Sequence, residues 1–199
     1  CFTRNATEGN SIIAGGLKLE EGDEVIFENH AHPGGSGPWY NQAIRRGVVV
    51  KLFEPDTESV EGNLARIREL ITSRTKCVLV NSPGNPTGVV LTGREMSDIV
   101  DLCRAKGILL ISDEIYDEFT FSEFRENDRF PTPASMTKDC LLIRDFGKTY
   151  GCTGWRLGYV AGPHEIVQSI AKLQQYTYVC APSMAQYAAA KAYTSAELR

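Results

Sequence analysis

Two cations flank a glycine-rich bend in the segment RDFGKTYGCTGWRLGYV, at positions 144–160. Lys148 follows a short apolar run, and Arg156 comes eight residues after it. A lysine amine can bond covalently to a carbonyl carbon, and an arginine guanidinium binds phosphate or carboxylate. Two ordinary solvated cations beside a loop are the plain alternative, because charged side chains usually lie at the surface. The segment alone therefore leaves both interpretations open.

Other polar side chains follow two further apolar runs. Asn85 comes shortly after CVLVNS, and Asp113 and Tyr116 come at and after the end of ILLISD. Each has an ordinary explanation as a turn residue. If these runs are parallel strands, however, their carboxyl ends meet at one edge of a sheet, where ligands bind in open α/β folds. An amide, a carboxylate, a phenol and the Lys148 amine would then face one ligand.

That set of groups fits pyridoxal 5'-phosphate. A carboxylate keeps its pyridine nitrogen protonated, amide and hydroxyl donors contact its phenolic oxygen, and its aldehyde bonds to a lysine. Its phosphate takes an arginine and a helix N-terminus. The sequence therefore predicts that Lys148 forms a Schiff base with the cofactor and that Arg156 reaches across the bend to the phosphate.

The apolar runs predict the sheet that would position these residues. They lie at 24–29, 48–53, 77–82, 108–113, 140–145 and 156–162. Most are separated by stretches of helical period, such as 92–107, where Thr92 can cap the helix and Gly107 can end it. We expect an α/β three-layer sandwich with a mostly parallel sheet, covered by helices on both faces. The stretch 122–139 is expected to be a loop or a broken helix.

Composition narrows the function classes. The 199 residues are 42% hydrophobic and 23% charged, with a net charge of −4, which is typical of a globular protein without a nucleic-acid surface. No apolar run is long enough to span a membrane. The six cysteines form no CxxC pair, which favours reduced thiols and a cytoplasmic location. A nucleotide-binding or interaction domain without a covalent cofactor is disfavoured, because no GxGxxG or P-loop motif follows a strand.

Three motifs, NSPGNPTG, SDEIYDEF and GKTYGCTGWRLGY, resemble the large domain of class I/II aminotransferases, which are fold-type I pyridoxal-phosphate enzymes. They occur in the family's order, with 28 residues from Asn85 to Asp113 and 35 from Asp113 to Lys148. The resemblance implies that Asn85 and Tyr116 bond the phenolic oxygen, Asp113 pairs with the pyridine nitrogen, Lys148 is the Schiff base and proton shuttle, and Arg156 binds phosphate. It also implies that RLGYVAG runs antiparallel. A cis Asn85–Pro86 bond is expected, because a tight loop must aim the amide at the cofactor.

Two positions depart from the family pattern. Asp145 stands where many members have a serine that donates to the phosphate, and Gly147 replaces another frequent serine. Because an ionised carboxylate cannot donate a hydrogen bond and repels phosphate, we expect Asp145 to turn away from the site.

The first fifty residues carry two different resemblances. FTRNATEGNSIIAGG has the strand-to-helix form in which the amides of Ala6 and Thr7 cradle the phosphate. GDEVIFENHAHPGGSGPW is similar to class V relatives, the cysteine desulfurases and isopenicillin N epimerase-like proteins, through His32, Pro38 and Trp39. By position His32 would stack on the cofactor ring; the alternative is a loop histidine without cofactor contact.

The resemblance covers nearly all of the chain, and family members are much longer. It implies that residues 1–199 are a cofactor-binding large domain, truncated at both ends. The small domain would be absent, together with the arginine that holds the substrate carboxylate. The expected activity is amino-group transfer from an amino acid to a 2-oxo acid, in a protein that is a homodimer at full length. The alternative is a pyridoxal-phosphate-dependent lyase, epimerase or cysteine desulfurase-like enzyme. Alone, this chain is expected to bind the cofactor weakly and to have no useful turnover.

Overall fold

The computed structural model describes residues 1–57 and 62–195. The strands are β1 (Phe2–Thr3), β2 (Glu24–Glu28), β3 (Val49–Phe53), β4 (Thr75–Asn81), β5 (Leu109–Asp113), β6 (Cys140–Asp145) and β7 (Gly158–Ala161). The α-helices are α1 (Ala6–Gly16), α2 (Pro33–Arg46), α3 (Gly62–Leu70), α4 (Gly93–Lys106), α5 (Phe146–Thr149), α6 (His164–Thr177) and α7 (Ser183–Thr194). All six predicted strands are confirmed, with ends that differ by no more than two residues.

The strands form one sheet in the order β1-β7-β6-β5-β4-β2-β3. Strands β2 to β6 pair in parallel with one another. Strand β7 is antiparallel to both β6 and β1, which confirms the direction expected for RLGYVAG. The mostly parallel sheet is therefore as predicted.

Helices cover both faces of this sheet. Along β4, Cys77 and Leu79 belong to an apolar cluster with Ile13 and Trp39 of α1 and α2. The alternating residues Val78 and Val80 belong to a second cluster, which includes side chains of α3 and α4. Since successive strand residues point to opposite faces, the strand is apolar on both sides, and the fold has three layers.

Helix α4 shows how local sequence sets the boundaries. The Thr92 hydroxyl accepts a hydrogen bond from the Glu95 amide, and the Glu95 carboxylate accepts one from the Thr92 amide, which is a capping box. At the other end Gly107 is left-handed, with φ of 66°. Both ends agree with the predicted helix.

The stretch 122–139 is irregular, as predicted, with short 3-10 turns at Ser122–Phe124 and Pro133–Ser135. Asn85–Pro86 is cis, as expected, and Ser82–Pro83 is cis as well. All six cysteines are free thiols. Within the described ranges, no helix combines the length and apolarity needed to cross a bilayer.

Candidate active site

A cavity of about 360 Å³ opens at the carboxyl ends of β4, β5 and β6. All eight residues that the sequence predicted for the site line this cavity: Ala6, Thr7, His32, Asn85, Asp113, Tyr116, Lys148 and Arg156. They come from helices, loops and strand ends spread over most of the chain, and the fold brings them together. Whether they hold the expected cofactor stays a prediction.

Asp113, the last residue of β5, is only 7% exposed. Its Oδ2 accepts a hydrogen bond of 2.9 Å from the Asn10 side-chain amide, whereas its Oδ1 has no partner among the described residues. Burial raises the pKa of Asp113 to about 6, the Asn10 hydrogen bond opposes this rise, and the charges of Glu114 and Asp145 add to it. The site therefore holds a carboxylate that forms no ion pair with a described residue.

Asn10 was missed by the sequence analysis. It lies on α1, one turn after Ala6, and is fully buried against Asp113. The available signal was an asparagine on the apolar face of an amphipathic helix, beside Ile13 and Ala14, where an apolar residue would be usual. A buried amide at such a position needs a polar partner, and Asp113 is that partner.

The loop after β4 is held by a chain of amide contacts. The Asn81 side chain donates to the Asp113 carbonyl at 3.0 Å and accepts from the Asn85 backbone amide at 3.0 Å. The Asn85 side-chain amide in turn donates to the Tyr116 hydroxyl at 3.1 Å. The amide and the phenol predicted to share one oxygen of the ligand are thus already in hydrogen-bond contact.

Lys148 lies on α5, immediately after β6. Its Nζ is 5.7 Å from the centre of the Tyr116 ring, and its side chain is exposed to the cavity. The amine is therefore accessible on the same side of the cavity as the Asn85–Tyr116 pair.

Arg156 has a left-handed backbone, with φ of 54°. This conformation is uncommon for a residue other than glycine. Its guanidinium donates to the Thr153 carbonyl at 2.6 Å, and the exposed side chain lines the cavity. The bend between Lys148 and Arg156 thus brings both exposed cations to the lining of one cavity.

Asp145 does not turn away from the cavity, so that expectation is wrong. Its Oδ2 accepts from the Ala6 amide at 3.2 Å, and its Oδ1 accepts from the Gly147 amide at 2.6 Å. The carboxylate thereby satisfies two backbone donors, which explains why it faces inwards. As a result, the Ala6 amide predicted to bind phosphate is bonded to a carboxylate of the chain itself.

His32 is the N-cap residue of α2, and its Nδ1 accepts from the Gly34 amide at 3.0 Å. A side chain at Gly34 would overlap the Thr7 hydroxyl, so this glycine lets α1 and α2 approach closely. The structure places His32 at the rim of the cavity, exposed and hydrogen-bonded to its own helix.

Glu28, at the end of β2, was also missed. It is 5% exposed and lines the cavity, and its Oε1 has no partner among the described residues. Burial raises the pKa of Glu28 to about 7, although the charge of His30 lowers it in part. Its position at a strand end, like that of Asp113, was the signal available in the sequence.

A buried ion-pair network lies next to the cavity, between β6 and the segment that follows β5. Arg144 of β6 bonds Glu114 at 2.8 Å and Asp117 at 2.7 Å. The hydroxyls of Ser112 and Thr132 donate to the other oxygen of Glu114, at 2.9 and 2.8 Å. Burial alone would lower the pKa of Arg144, but the two carboxylates raise it. The network ties the end of β5 to β6, next to Asp113 and Asp145.

The whole architecture matches solved aminotransferase structures. The aromatic aminotransferase from Pyrococcus horikoshii OT3 superposes with a TM-score of 0.85 and 29% sequence identity, covering 99% of this chain and 51% of that one. The fold is that of an α/β aminotransferase.

The sequence comparisons agree. The family "Aminotransferase class I and II" matches residues 1–199, and the chain belongs to this family. An aspartate aminotransferase from Geobacillus stearothermophilus is 33% identical over 181 residues, which are 88% of this chain and 44% of that relative. A probable aspartate/prephenate aminotransferase from Aquifex aeolicus is 35% identical over 180 residues, 87% of this chain and 43% of that relative. The chain thus spans less than half the length of these curated relatives.

Proposed function

We propose that this chain is the cofactor-binding part of a pyridoxal-phosphate-dependent aminotransferase, which transfers an amino group from an amino acid to a 2-oxo acid. The observation that carries the proposal is the buried Asp113 carboxylate. One of its oxygens has no hydrogen-bond partner among the described residues, and it lies in the same cavity as an accessible lysine. A buried carboxylate oxygen without a hydrogen-bond donor is costly, and a cationic ring N–H would satisfy it.

The residues of the cavity fit this cofactor. Asp113 Oδ1 would accept the pyridine N–H, while Asn10 holds Oδ2 and fixes the orientation of the carboxylate. The Asn85 amide and the Tyr116 hydroxyl would bond the phenolic oxygen, and Arg156 would bind the phosphate. When bound, pyridoxal phosphate supplies an aldehyde that bonds to an amine and a ring that accepts electrons.

Three residues of the chain would then act on the substrate proton and on the charge of the cofactor ring. With the cofactor bound, the Lys148 amine would be the base that takes the proton from the substrate α-carbon and the acid that gives it back. Asp113 would remain ionised opposite the positive ring, because an adjacent cation favours the charged form of a carboxylate. The Tyr116 ring, 5.7 Å from Lys148 Nζ, would keep the amine on the cofactor side.

The test is a product analysis. The protein extended at both ends and loaded with pyridoxal phosphate is incubated with aspartate or an aromatic amino acid, with and without a 2-oxo acid, and the products are identified by mass spectrometry. We expect a new amino acid derived from the 2-oxo acid, formed only when both substrates are present. Products that form at the same rate without a 2-oxo acid would contradict aminotransfer.

A lyase, epimerase or cysteine desulfurase-like activity is the second candidate; its support is that His32 lines the cavity, but an exposed His32 that caps its own helix weakens it. In that case His32 would stack on the cofactor ring in the manner of class V relatives. The same incubation separates the two candidates, because elimination, racemisation and sulfur release need no 2-oxo acid. His32→Phe should retain cofactor binding if the residue acts by stacking, whereas His32→Ala should weaken it.

We further propose that residues 1–199 form a large domain, that further chain supplies the small domain and the substrate-carboxylate arginine, and that the assembled enzyme is a cytoplasmic homodimer. Family membership, the lengths of the relatives and the free thiols support this. The exposed apolar side chains of α6 and α7, among them Tyr176, Met184 and Tyr187, would lie at the subunit interface. Sedimentation of the protein with this region extended at both ends should give a dimer; a monomer would contradict the proposal.

A further inference from the structure

Asp145 contacts a backbone amide, that of Ala6, which the sequence predicts to bind the phosphate of the cofactor. Its carboxylate oxygens accept hydrogen bonds from the backbone amides of Ala6, at 3.2 Å, and Gly147, at 2.6 Å. Ala6 is the first residue of α1, an 11-residue helix whose N-terminus faces the cavity. The amide at the N-terminus of α1 is therefore already hydrogen-bonded to a carboxylate of the chain itself.

A carboxylate and a phosphate cannot share this amide without a cost. A single N–H bonds one strong acceptor well, and two anions at hydrogen-bond distance from the same donor repel each other. The described cations that line the cavity are Lys148 and Arg156, whereas Glu28, Asp113 and Asp145 are acidic. The cavity thus offers little positive charge to offset that repulsion.

The local backbone holds the carboxylate in place. A side chain at Gly147 would lie 2.7 Å from Asp145 Oδ1 and 3.0 Å from the Thr153 backbone, so glycine at this position makes room for the carboxylate. Asp145 is also the N-cap residue of α5, the helix that carries Lys148. The carboxylate therefore contacts both elements that a phosphate would have to approach.

We propose that Asp145 determines how strongly this chain distinguishes phosphorylated from unphosphorylated pyridoxal, because its carboxylate competes with the phosphate for the Ala6 amide. This inference rests on the proposed function. Binding of the phosphate requires Asp145 to release that amide, so the phosphate adds less to affinity here than it would beside an uncharged residue.

The test compares two aldehydes that differ only in the phosphate. The chain is titrated with pyridoxal phosphate or with pyridoxal and reduced with borohydride, and the fraction labelled at Lys148 is measured by peptide mass spectrometry. Counting label at Lys148 alone removes the background from surface lysines. The unmodified chain is compared with Asp145→Asn, and with Asp139→Asn as the matched control. Asp139 is exposed and lies beside the opposite end of β6.

In the unmodified chain the half-saturating concentrations of the two aldehydes should differ by no more than about tenfold. In Asp145→Asn the preference for pyridoxal phosphate should increase by about tenfold or more, since a hydrogen bond to a charged group contributes at least that factor. Asp139→Asn should leave the preference unchanged. Asp113 would contact the ring of both aldehydes equally. Any change in its charge therefore cancels when the two half-saturating concentrations are divided.

Three outcomes would overturn the inference. A preference far above tenfold in the unmodified chain would show that Asp145 does not impede the phosphate. If circular dichroism confirms that Asp145→Asn and Asp145→Ser fold, and neither variant changes the preference for pyridoxal phosphate over pyridoxal, Asp145 likewise does not impede the phosphate. If neither aldehyde labels Lys148, the proposed function itself fails and the inference fails with it, so the two failures are distinguishable.

Discussion

Arg144 is expected to stabilise the fold, because it is the cation between two buried carboxylates. It contacts Glu114 through Nε at 3.1 Å and Nη2 at 2.8 Å, and Asp117 through Nη1 at 2.7 Å. The side chains of Glu114 and Asp117 are 0% and 7% exposed, so water can replace the guanidinium only in part. Substitution Arg144→Met keeps most of the apolar stem and removes the charge.

The magnitude follows from what the substitution leaves behind. Removing one partner of a buried ion pair costs about 3–5 kcal/mol, because the other charge is left without a partner in the interior. Here Ser112 and Thr132 still donate to the second oxygen of Glu114. We therefore expect the free energy of unfolding to fall by about 3 kcal/mol, at the lower end of that range.

The assay is urea unfolding followed by circular dichroism, with Arg104→Met as the control. Arg104 pairs with Asp101 at 3.0 Å, but their side chains are 54% and 68% exposed. An exposed pair of this kind contributes at most about 1 kcal/mol. Equal losses for the two arginine variants would refute the argument from burial.

The loss should also depend on pH. Burial raises the pKa of Glu114 in the folded protein, and Arg144 lowers it in part. Without Arg144 the pKa of Glu114 in the folded protein is still higher. The folded variant therefore keeps a proton on Glu114 at a pH where the unfolded chain has released it. For this reason its free energy of unfolding falls as pH rises. The difference from the unmodified protein should therefore be smaller at pH 5 than at pH 8, and adding Glu114→Gln should restore part of the stability. A pH-independent loss would contradict this.

Three further predictions concern the cavity. Lys148→Ala should abolish borohydride-fixable pyridoxal phosphate, whereas the exposed Lys172→Ala should not; fixation that persists in Lys148→Ala would contradict the assignment. Asp113→Asn should lower aminotransfer by about 100-fold or more while the protein still binds the cofactor, because an amide cannot hold the ring nitrogen protonated, and full activity would refute this role. Asn10→Ala should raise the pKa of Asp113 above about 6, measured by a carbon NMR titration of the carboxyl signal, since the Asn10 hydrogen bond lowers it; an unchanged or lower pKa would show that Asn10 has no such effect.

The sheet and the edge that carries the site could be predicted because they depend on local patterns. Runs such as ILLISD are apolar at consecutive positions and are short and rich in β-branched residues, which favours a strand buried on both faces. The polar residue that ends such a run, as Asp113 does, must then lie at the ligand-binding edge. Residues close together in the sequence were therefore sufficient to predict the strands and the edge of the sheet that carries the site.

The contacts of Asn10 and Asp145 could not be predicted in this way, because they join distant parts of the chain. Asn10 bonds Asp113 across 103 positions, and Asp145 bonds Ala6 across 139. The expectation that Asp145 turns away considered only its repulsion of phosphate. It omitted the two backbone amides that stabilise the carboxylate in the folded chain.

The charges around the cavity limit which ligand can bind and in which orientation. Asp113 is buried in its interior with one oxygen lacking a described partner, so the inner end of the ligand should be a cationic donor. Arg156 lies exposed at the opposite end of the glycine-rich bend from Lys148, so the outer end of the ligand should be an anion. Between them, the Asn85–Tyr116 pair and the Lys148 amine favour an oxygen acceptor and an electrophilic carbon. A ligand with this order of groups would place its phosphate near the Ala6 amide that Asp145 accepts from, and for this reason that carboxylate is expected to set the preference for the phosphorylated over the unphosphorylated aldehyde.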